Sequence, residues 1–176
     1  MKKVSTLLKG SLALMAIAVA FAGVSPVAAK EATSGTQYAS YAAPEDRLDV
    51  KMAVKKINAI RYGKGLSKVR IDPALMQAAR VHALDLARID DVSHYGTDGS
   101  DPEQRVSKAG YSGVMTGENV SAGQRDIDEV LDGWLKSKSH RKTLLMKDAR
   151  HMGVALAYDP QTKYRTFWTL VLAEPF

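Results

Sequence analysis

Two of the four histidines in this 176-residue chain lie where loops meet predicted helices, and they are its main candidates for chemistry. His94 lies in SHYGTDG (93–99), a turn rich in glycine and aspartate. His140 follows Ser139 at an expected helix N-terminus, where the positive end of the helix dipole disfavours an imidazolium ion. We therefore expect His140 to stay neutral and able to bind a metal or accept a proton.

The other two histidines have plainer interpretations. His82 continues an apolar stripe with Ala79 and Leu86 on a predicted helix. We therefore expect a core histidine, bonded to a backbone carbonyl, rather than a ligand. His151 directly precedes a predicted strand, so packing at the strand boundary is its expected role.

A carboxylate candidate lies between His94 and His140 in the chain. The segment TGENVSAG (116–123) holds Glu118 and Asn119 among small residues, where solubility does not require an acidic group. Two neutral histidines and one carboxylate can hold a divalent metal such as zinc and leave one position open for water. No H-E-x-x-H spacing supports a metal, since the histidines lie 46 residues apart. A hydrogen-bond network that ties three loops together is the alternative.

Other catalytic chemistry finds less support. The sequence has no G-x-S-x-G, no P-loop and no dinucleotide fingerprint, and a cysteine nucleophile is excluded because the chain has no cysteine. Ser93 and Ser139 each precede a histidine, but neighbours in sequence rarely form a catalytic pair in space. A basic cluster around His140 indicates a solvated helix end or, as an alternative, a site for an anionic ligand such as a lipid headgroup; it comprises Lys136, Lys138, Arg141 and Lys142.

The first 29 residues have the composition of a secretory signal peptide. Three lysines precede an apolar run at 11–24, and the small residues 27–29 follow it. We predict cleavage after Ala29 and a product in the periplasm or outside the cell, with an uncleaved N-terminal anchor as the alternative. Residues 30–44 are small, polar and aperiodic, which predicts a flexible leader before a domain at 45–176.

Removal of the signal peptide leaves 147 residues and lowers the formal charge from +6 to +3, because it takes three lysines and no acidic residue. That length suits one domain with a real core. A charge of +3 gives no argument for nucleic acid as a partner. The sequence contains no second hydrophobic segment that would predict a membrane span. Because it has no cysteine, disulfides cannot stabilise the fold, and its stability must come from packing.

Hydrophobic periodicity and capping residues predict helices over the first two thirds of the domain. The expected helices, in chain order, are Glu45–Tyr62, Pro73–Asp90 capped by Asp72, a short helix opened by a capping box at Ser100 and closed by Gly110, a helix capped by Asp126, and Ser139–Met146.

The C-terminal third has the composition of strands. MGVALAY (152–158) and YRTFWTLVLA (164–173) flank a turn signal and predict an antiparallel hairpin, with a third strand near Gly117–Ala122. Their nearly continuous apolar character predicts a sheet covered on both faces. The expected fold class is α+β: a three-layer α-β-α sandwich with a small, mainly antiparallel sheet between helices.

Taken together, the motifs resemble the bacterial branch of the CAP superfamily (cysteine-rich secretory proteins, antigen 5 and pathogenesis-related 1 proteins), also called SCP-like extracellular proteins. Eight segments covering about residues 46–174 match in the family's order: INAIRYGKGLSKVRIDPAL (57–75), AARVHALDLA (78–87), SHYGTDGS (93–100), RVSKAGY (105–111), GENV (117–120), GWLKSKSHRKTLL (133–145), HMGVALAY (151–158) and FWTLVLA (167–173).

The resemblance implies an α-β-α sandwich with a central cleft, which two histidines and two glutamates face in members with the full set, and whose histidines can coordinate a divalent metal. His94, Glu118 and His140 match three of these positions. Near the second glutamate this chain has Ser137, so the implied cleft comprises Glu118, Asn119 and Ser137 beside the histidines. Loss of one carboxylate should weaken metal affinity and removes a general base. The cysteines and the C-terminal extension of the eukaryotic branch are absent.

Three functions follow from this comparison. The leading hypothesis is a secreted, non-enzymatic module that binds a lipid, a small hydrophobic ligand or a component of the cell envelope. The second is a metal-dependent hydrolase, in which His94 and His140 hold the metal and Glu118 orients or deprotonates its water. The third is a structural envelope protein whose cleft network only holds loops together.

Overall fold

The computed structural model describes residues 48–176. The expected signal peptide (1–29), the expected leader (30–44) and residues 45–47 of the first predicted helix lie outside the described residues. That helix begins at Val50, after the cap Asp49, and so later than the predicted start at Glu45. Within the described part, no helix has both the length and the apolar character that crossing a membrane would take.

Five helices and four strands make up residues 48–176. In chain order they are α1 (Val50–Tyr62), β1 (Arg70–Ile71), α2 (Pro73–Ile89), α3 (Pro102–Lys108), β2 (Gly113–Ala122), α4 (Ile127–Lys136), α5 (Lys138–Leu144), β3 (His151–Tyr158) and β4 (Thr166–Pro175).

The strands form one sheet in the order β1-β3-β4-β2. The predicted hairpin is present, with β3 and β4 antiparallel, and β2 pairs antiparallel with β4. Only the two-residue β1 is parallel to its neighbour β3. This short strand was not predicted, because two residues are too few to show an alternating pattern.

Helices cover both faces of the sheet, so the predicted three-layer α-β-α sandwich is confirmed. Ile57 of α1 and Trp134 of α4 pack against one face, in a cluster that includes Leu170 of β4. Leu86 of α2 packs in a second cluster with Phe167 of β4, on the other face. Seven of the eight residues of β3 are buried, as a strand covered on both faces requires.

Capping residues explain where most helices begin. Asp72 accepts hydrogen bonds from the backbone N–H groups of Ala74 and Leu75, and Pro73 occupies the first helical position, as predicted. Asp126 caps α4 in the same way. The helix α2 ends at Ile89, and its C-cap Asp90 adopts a left-handed conformation with φ of 51°.

Two other predicted helix starts are wrong by one residue each. The capping box of α3 begins at Asp101 rather than Ser100, because Pro102 takes the first helical position and places the cap immediately before it. The last short helix begins at Lys138 rather than Ser139 and is capped by Ser137. Ser137 is extended and ends α4 as well, so the chain turns there without an intervening loop. His140 therefore lies in the first turn of α5.

Gly153 lets α2 lie directly on the sheet. A Cβ added at this residue of β3 would come within 2.1 Å of the backbone carbonyl of Leu75. Only glycine permits this close approach without displacing the helix. The contact fixes the height of α2 over the sheet and so the position of His82 and of the loop that follows the helix.

Arg61 is a fully buried arginine at the end of α1. Its guanidinium donates to the carbonyl oxygens of Ser67 at 2.9 Å, Leu144 at 2.9 Å and Ala149 at 3.2 Å. These bonds join α1 to the end of α5 and to the segment that leads into β3. Removal of a buried charge that has several partners strongly destabilises a protein, because the partners are left buried without it.

We expect the substitution Arg61→Met to lower the free energy of unfolding by about 3 kcal/mol, because it leaves three carbonyl oxygens without their donor. Urea unfolding measures this change. Arg125→Met is the matched control, because Arg125 is exposed, lies just before α4 and directs its side-chain hydrogen bonds to Glu129. Its effect should stay within about 0.5 kcal/mol. Equal effects of the two substitutions would contradict a structural role for Arg61.

Candidate functional site

The candidate site is organised around Glu118, in the middle of the edge strand β2. Side chains alternate between the faces of a strand, so Glu118 shares a face with Val120, which belongs to the core cluster beneath α2. Asn119 points to the opposite face, toward α5. The strand therefore presents a carboxylate to one helical layer and an amide to the other.

Both carboxylate oxygens of Glu118 are engaged by neighbouring side chains. Oε1 lies 2.8 Å from Nδ1 of His94, and Oε2 accepts a hydrogen bond of 2.8 Å from the guanidinium of Arg105 on α3. The side chain of Glu118 is only 2% exposed. Nε2 of His82, at 3.7 Å from Oε1, completes its surroundings. Charge-assisted bonds of this kind are among the stronger hydrogen bonds in proteins.

Arg105 also holds the loop that carries His94. Its guanidinium donates to the carbonyl oxygen of His94 at 3.0 Å and to that of Ser100 at 2.8 Å. Arg105 is buried, and with Glu118 it joins β2, α3 and the loop after α2 at one point. The SHYGTDG segment is thus held from both sides, through its imidazole and through its backbone.

His94 combines a fixed ring nitrogen with an open one. Its Nδ1 faces Glu118, while the side chain as a whole is 51% exposed. The hydrogen bond to Glu118 raises the pKa of His94 above its ordinary value. Because Glu118 is an acceptor, Nδ1 carries the proton in the neutral ring, and Nε2 is then free to accept a proton or bind an ion.

His140 lies near His94 but makes no recorded contact with Glu118 among residues 48–176. Its backbone carbonyl accepts a hydrogen bond of 3.0 Å from the side chain of Asn119. Burial, and then the positive charge of His94, lowers the pKa of His140 below its ordinary value. A neutral ring was expected from the helix dipole, and burial and the charge of His94 act in the same direction.

Asn119 and Ser137 hold the backbone of His140. Asn119 is fully buried, and its Oδ1 has no hydrogen-bond partner within the described part of the chain. Ser137, near the position expected for a second family glutamate, caps α5 by accepting from the backbone N–H of His140 at 3.5 Å. Its hydroxyl also lies 3.1 Å from that of Ser139.

The other two histidines have the structural surroundings predicted for them. His82 is fully buried, its Nε2 lies 2.8 Å from the carbonyl oxygen of Ser93, and burial lowers its pKa. His151 begins β3 and is buried between Arg70, whose Nε donates to its Nε2 at 2.8 Å, and Tyr111, whose hydroxyl lies 3.0 Å from its Nδ1.

Sequence reasoning missed Arg105. An arginine in a short helix with glutamate, glutamine and lysine is typical of an exposed helix surface. Its segment, RVSKAGY, contributed to the family resemblance without indicating a role for this residue. The one local signal in the sequence is the apolar Val106 beside it, and in the structure both residues are buried.

The residues present fit a divalent metal only as a pair of nitrogen donors. Within residues 48–176, no group of three or more histidine, aspartate or glutamate side chains is arranged to hold a metal ion. Glu118 is committed to His94 and Arg105. Nε2 of His94 and the imidazole of His140 remain as donors, so zinc binding stays a prediction.

Comparison with protein families gives one match over most of the chain. The model of the cysteine-rich secretory protein family, CAP, matches residues 54–172. The Bacillus subtilis protein YkwD is 32% identical over 104 residues, which are 59% of this chain and 40% of that protein. The chain thus spans well under half of the length of this relative.

Solved structures show the same fold. An extracellular protein with an SCP domain from Bacillus anthracis is 26% identical, with a TM-score of 0.63 over 70% of this chain and 39% of that one. An outer surface protein from Borrelia burgdorferi has a TM-score of 0.63 over 74% of this chain and 98% of its own, at 24% identity, which supports the fold alone.

Of the two cleft histidines, His140 should lose its proton at a lower pH than His94. We expect the pKa of His94 to lie above the value of about 6.5 for a free imidazole and that of His140 below it. Glu118→Gln removes the negative charge beside His94 and should lower the pKa of that ring. Histidine ring NMR across a pH titration measures both values, with Glu129→Gln, at a partly exposed position of α4, as control. A pKa of His94 that does not change in Glu118→Gln would contradict the assigned contact.

The contact between His94 and Glu118 also determines the direction in which stability changes with pH. A raised folded-state pKa of His94 means that the contact stabilises the fold below the unfolded-state value, and that this contribution is lost as the pH rises through the folded-state pKa. In Glu118→Gln this loss on raising the pH through that range should be smaller than in the wild type.

Proposed function

The chain belongs to the cysteine-rich secretory protein (CAP) family, and from that membership we propose that it is an exported binding module whose cleft recognises a component of the cell envelope without chemical turnover. The ligand class includes a lipid or a small hydrophobic molecule of the envelope. Export agrees with the predicted signal peptide and with the extracellular and outer surface proteins among its structural relatives.

The engagement of Glu118 carries this proposal. A general base needs a carboxylate that can reach a water or a substrate proton. Both oxygens of Glu118 lie 2.8 Å from other groups, one of them on a buried arginine, and its side chain is almost inaccessible. The carboxylate therefore positions His94, and the groups left to meet a ligand are the imidazoles of His94 and His140.

A ligand at this cleft would find hydrogen-bond donors and acceptors on a rigid frame. Nε2 of His94 is fixed in direction because Nδ1 is bound to Glu118 and the backbone of the same residue is held by Arg105. His140 is held through its backbone by Asn119 and Ser137. Fixed polar groups lose little entropy on binding, which favours recognition.

One observation favours metal-dependent hydrolysis as the second candidate. Histidines that bind a metal usually donate their other ring N–H to a carboxylate, and His94 has this arrangement with Glu118. His94 and His140 would then hold zinc, which when bound lowers the pKa of its water. Against this candidate, Glu118 is committed to positioning, and Ser137 replaces the second carboxylate that the family resemblance leads one to expect.

The two candidates differ in how they depend on metal. We expect the exported protein to sediment with isolated cell envelopes equally well in EDTA and in added zinc, and to release no soluble fragments from them. His140→Ala should reduce the bound fraction several-fold without a change in melting temperature, because its ring has no recorded hydrogen bond within residues 48–176. Lys138→Ala, an exposed change in the same helix turn, is the matched control.

Each other outcome favours a different function. Sedimentation or fragment release that requires zinc, and that is lost in both His94→Ala and His140→Ala, would replace the binding module with the metal-dependent enzyme. Unchanged sedimentation in His140→Ala, with only a lower melting temperature in His94→Ala, would leave a structural network as the role of the cleft.

A further inference from the structure

A second concave site lies at the end of the sheet where the parallel strands β1 and β3 begin. It has a volume of about 310 Å³, and it is lined by Lys68, Val69, Arg70, Arg150 and Pro175. None of the cleft residues belongs to this lining. Three of the five lining side chains are cations and none is acidic, so the site has the charge that an anion requires.

A buried histidine holds the guanidinium of Arg70 in place. The Nε of Arg70 donates a hydrogen bond of 2.8 Å to Nε2 of His151. Because Nε2 is the acceptor, Nδ1 carries the proton in the neutral ring, and the hydroxyl of Tyr111 lies 3.0 Å from it. The terminal N–H groups of Arg70 have no recorded acceptor within residues 48–176. They are therefore fixed in direction and open to a ligand.

Backbone carbonyl groups hold Arg150 beside it. The Nη1 of Arg150 donates to the carbonyl oxygens of Lys147 at 2.6 Å and Ala149 at 2.9 Å, which leaves Nη2 open. The backbone N–H of Arg70 donates to the carbonyl oxygen of Arg150 at 2.9 Å, so the two arginines lie on adjacent chain segments. A side chain that is held in advance loses less conformational entropy when it binds a ligand.

The positive charge at this end of the sheet is not neutralised by carboxylates. Lys68 is exposed and makes no recorded hydrogen bond or ion pair in the part of the chain that the structure describes. Behind the site, the buried Arg61 bonds only carbonyl oxygens, and it shares that of Ala149 with Arg150. Burial, and then the charge of Arg150, lowers the pKa of Arg61. An anion among these cations would relieve their mutual repulsion.

The nearest acidic residues along the chain do not compensate this charge. Asp72 caps α2 by accepting from two backbone N–H groups, and its other oxygen lies 3.8 Å from Nδ1 of His151. Asp148 and Glu174 are exposed and lie outside the lining. Within residues 48–176, no carboxylate makes an ion pair with any of the three lining cations.

We propose that this site binds the phosphate group of a hydrophilic ligand: the guanidinium groups of Arg70 and Arg150 donate to the phosphate oxygens, and Lys68 adds charge. The planar guanidinium fork matches the geometry of phosphate oxygens. Only Val69 and Pro175 offer apolar contacts, so the ligand needs no apolar chain. Two sources carry such a group, namely a soluble phosphate monoester and a phosphodiester polymer of the envelope. The proposal does not depend on the function proposed for the cleft.

The test uses glycerol 3-phosphate as the monoester probe and glycerophosphoglycerol as the diester probe, at constant pH and ionic strength. The backbone amide NMR signal of His151 reports binding to the exported protein. Lys68→Gln/Arg70→Gln removes two cations of the site. Lys163→Gln/Arg165→Gln is the matched control, because it removes the same charge from exposed positions in the turn at the other end of β3. Melting temperatures verify that each variant is folded.

We expect the wild type to bind at least one probe with a Kd of about 1 mM, and Lys68→Gln/Arg70→Gln to weaken this binding by about tenfold or more. The control pair should stay within about twofold of the wild type. Tighter binding of the monoester would identify a soluble ester as the source, and equal or tighter binding of the diester would identify a polymer. Equal weakening by the two double variants would reduce the effect to net charge and overturn the proposal, as would binding of neither probe to the wild type.

Two single variants separate this site from diffuse charge and from the cleft. His151→Phe removes the acceptor for Nε of Arg70 and keeps every arginine and lysine, so it should weaken probe binding several-fold. Unchanged affinity in folded His151→Phe would overturn the role given to Arg70, and the double variant decides the question if this protein does not fold. Normal probe affinity in His140→Ala would support a site apart from the cleft, whereas loss of probe binding there would place the anion in the cleft and overturn the proposal.

Discussion

The ion pair between Glu118 and Arg105 is the contact on which the arrangement of the cleft depends. Both charges are buried, and a buried charge is tolerated only when partners replace the lost water. The remaining bonds of each residue reach the loop after α2: Glu118 bonds the imidazole of His94, and Arg105 bonds its backbone carbonyl. One electrostatic requirement thereby fixes an edge strand, a short helix and a loop relative to one another.

This requirement also determines what the cleft can do. Both oxygens of the Glu118 carboxylate are engaged by neighbouring side chains. The side chains that remain open to a ligand are therefore the imidazoles of His94 and His140, whose pKa values are shifted in opposite directions. The contact with Glu118 raises the pKa of His94, whereas burial and the charge of His94 lower the pKa of His140. Ser137 adds no charge, since it caps α5 where the family resemblance leads one to expect a second carboxylate. Such a cleft is suited to recognition through hydrogen bonds.

The layers of the fold were predictable because each depends on local patterns. The Asp72-Pro73 cap, the long apolar stripe of α2 and the continuous apolar runs of β3 and β4 all act within a few residues, and the helices and the hairpin follow from them. The start of α5 was misplaced because several serines near His140 can serve as a cap, and only the end of α4 selects Ser137.

Part of the candidate site could be read from the sequence, and part could not. The family resemblance assigned His94, Glu118 and His140, whereas the partners that hold them did not follow from any pattern. Arg61 and Arg105 are buried because distant carbonyl and carboxylate oxygens meet them in the fold, over separations of up to 88 residues. The burial of such an arginine cannot be recognised from its own segment, because its neighbours in sequence are not its partners in space.

A double-mutant cycle on Glu118 and Arg105 tests the central claim most directly. Urea unfolding would be measured for Glu118→Leu, for Arg105→Met and for the two changes together. Each single change leaves an uncompensated buried charge, so we expect a large loss of stability from each and a double variant that is more stable than their sum by about 2 kcal/mol or more. Losses that add within about 0.5 kcal/mol would contradict the claim that this ion pair holds the cleft together.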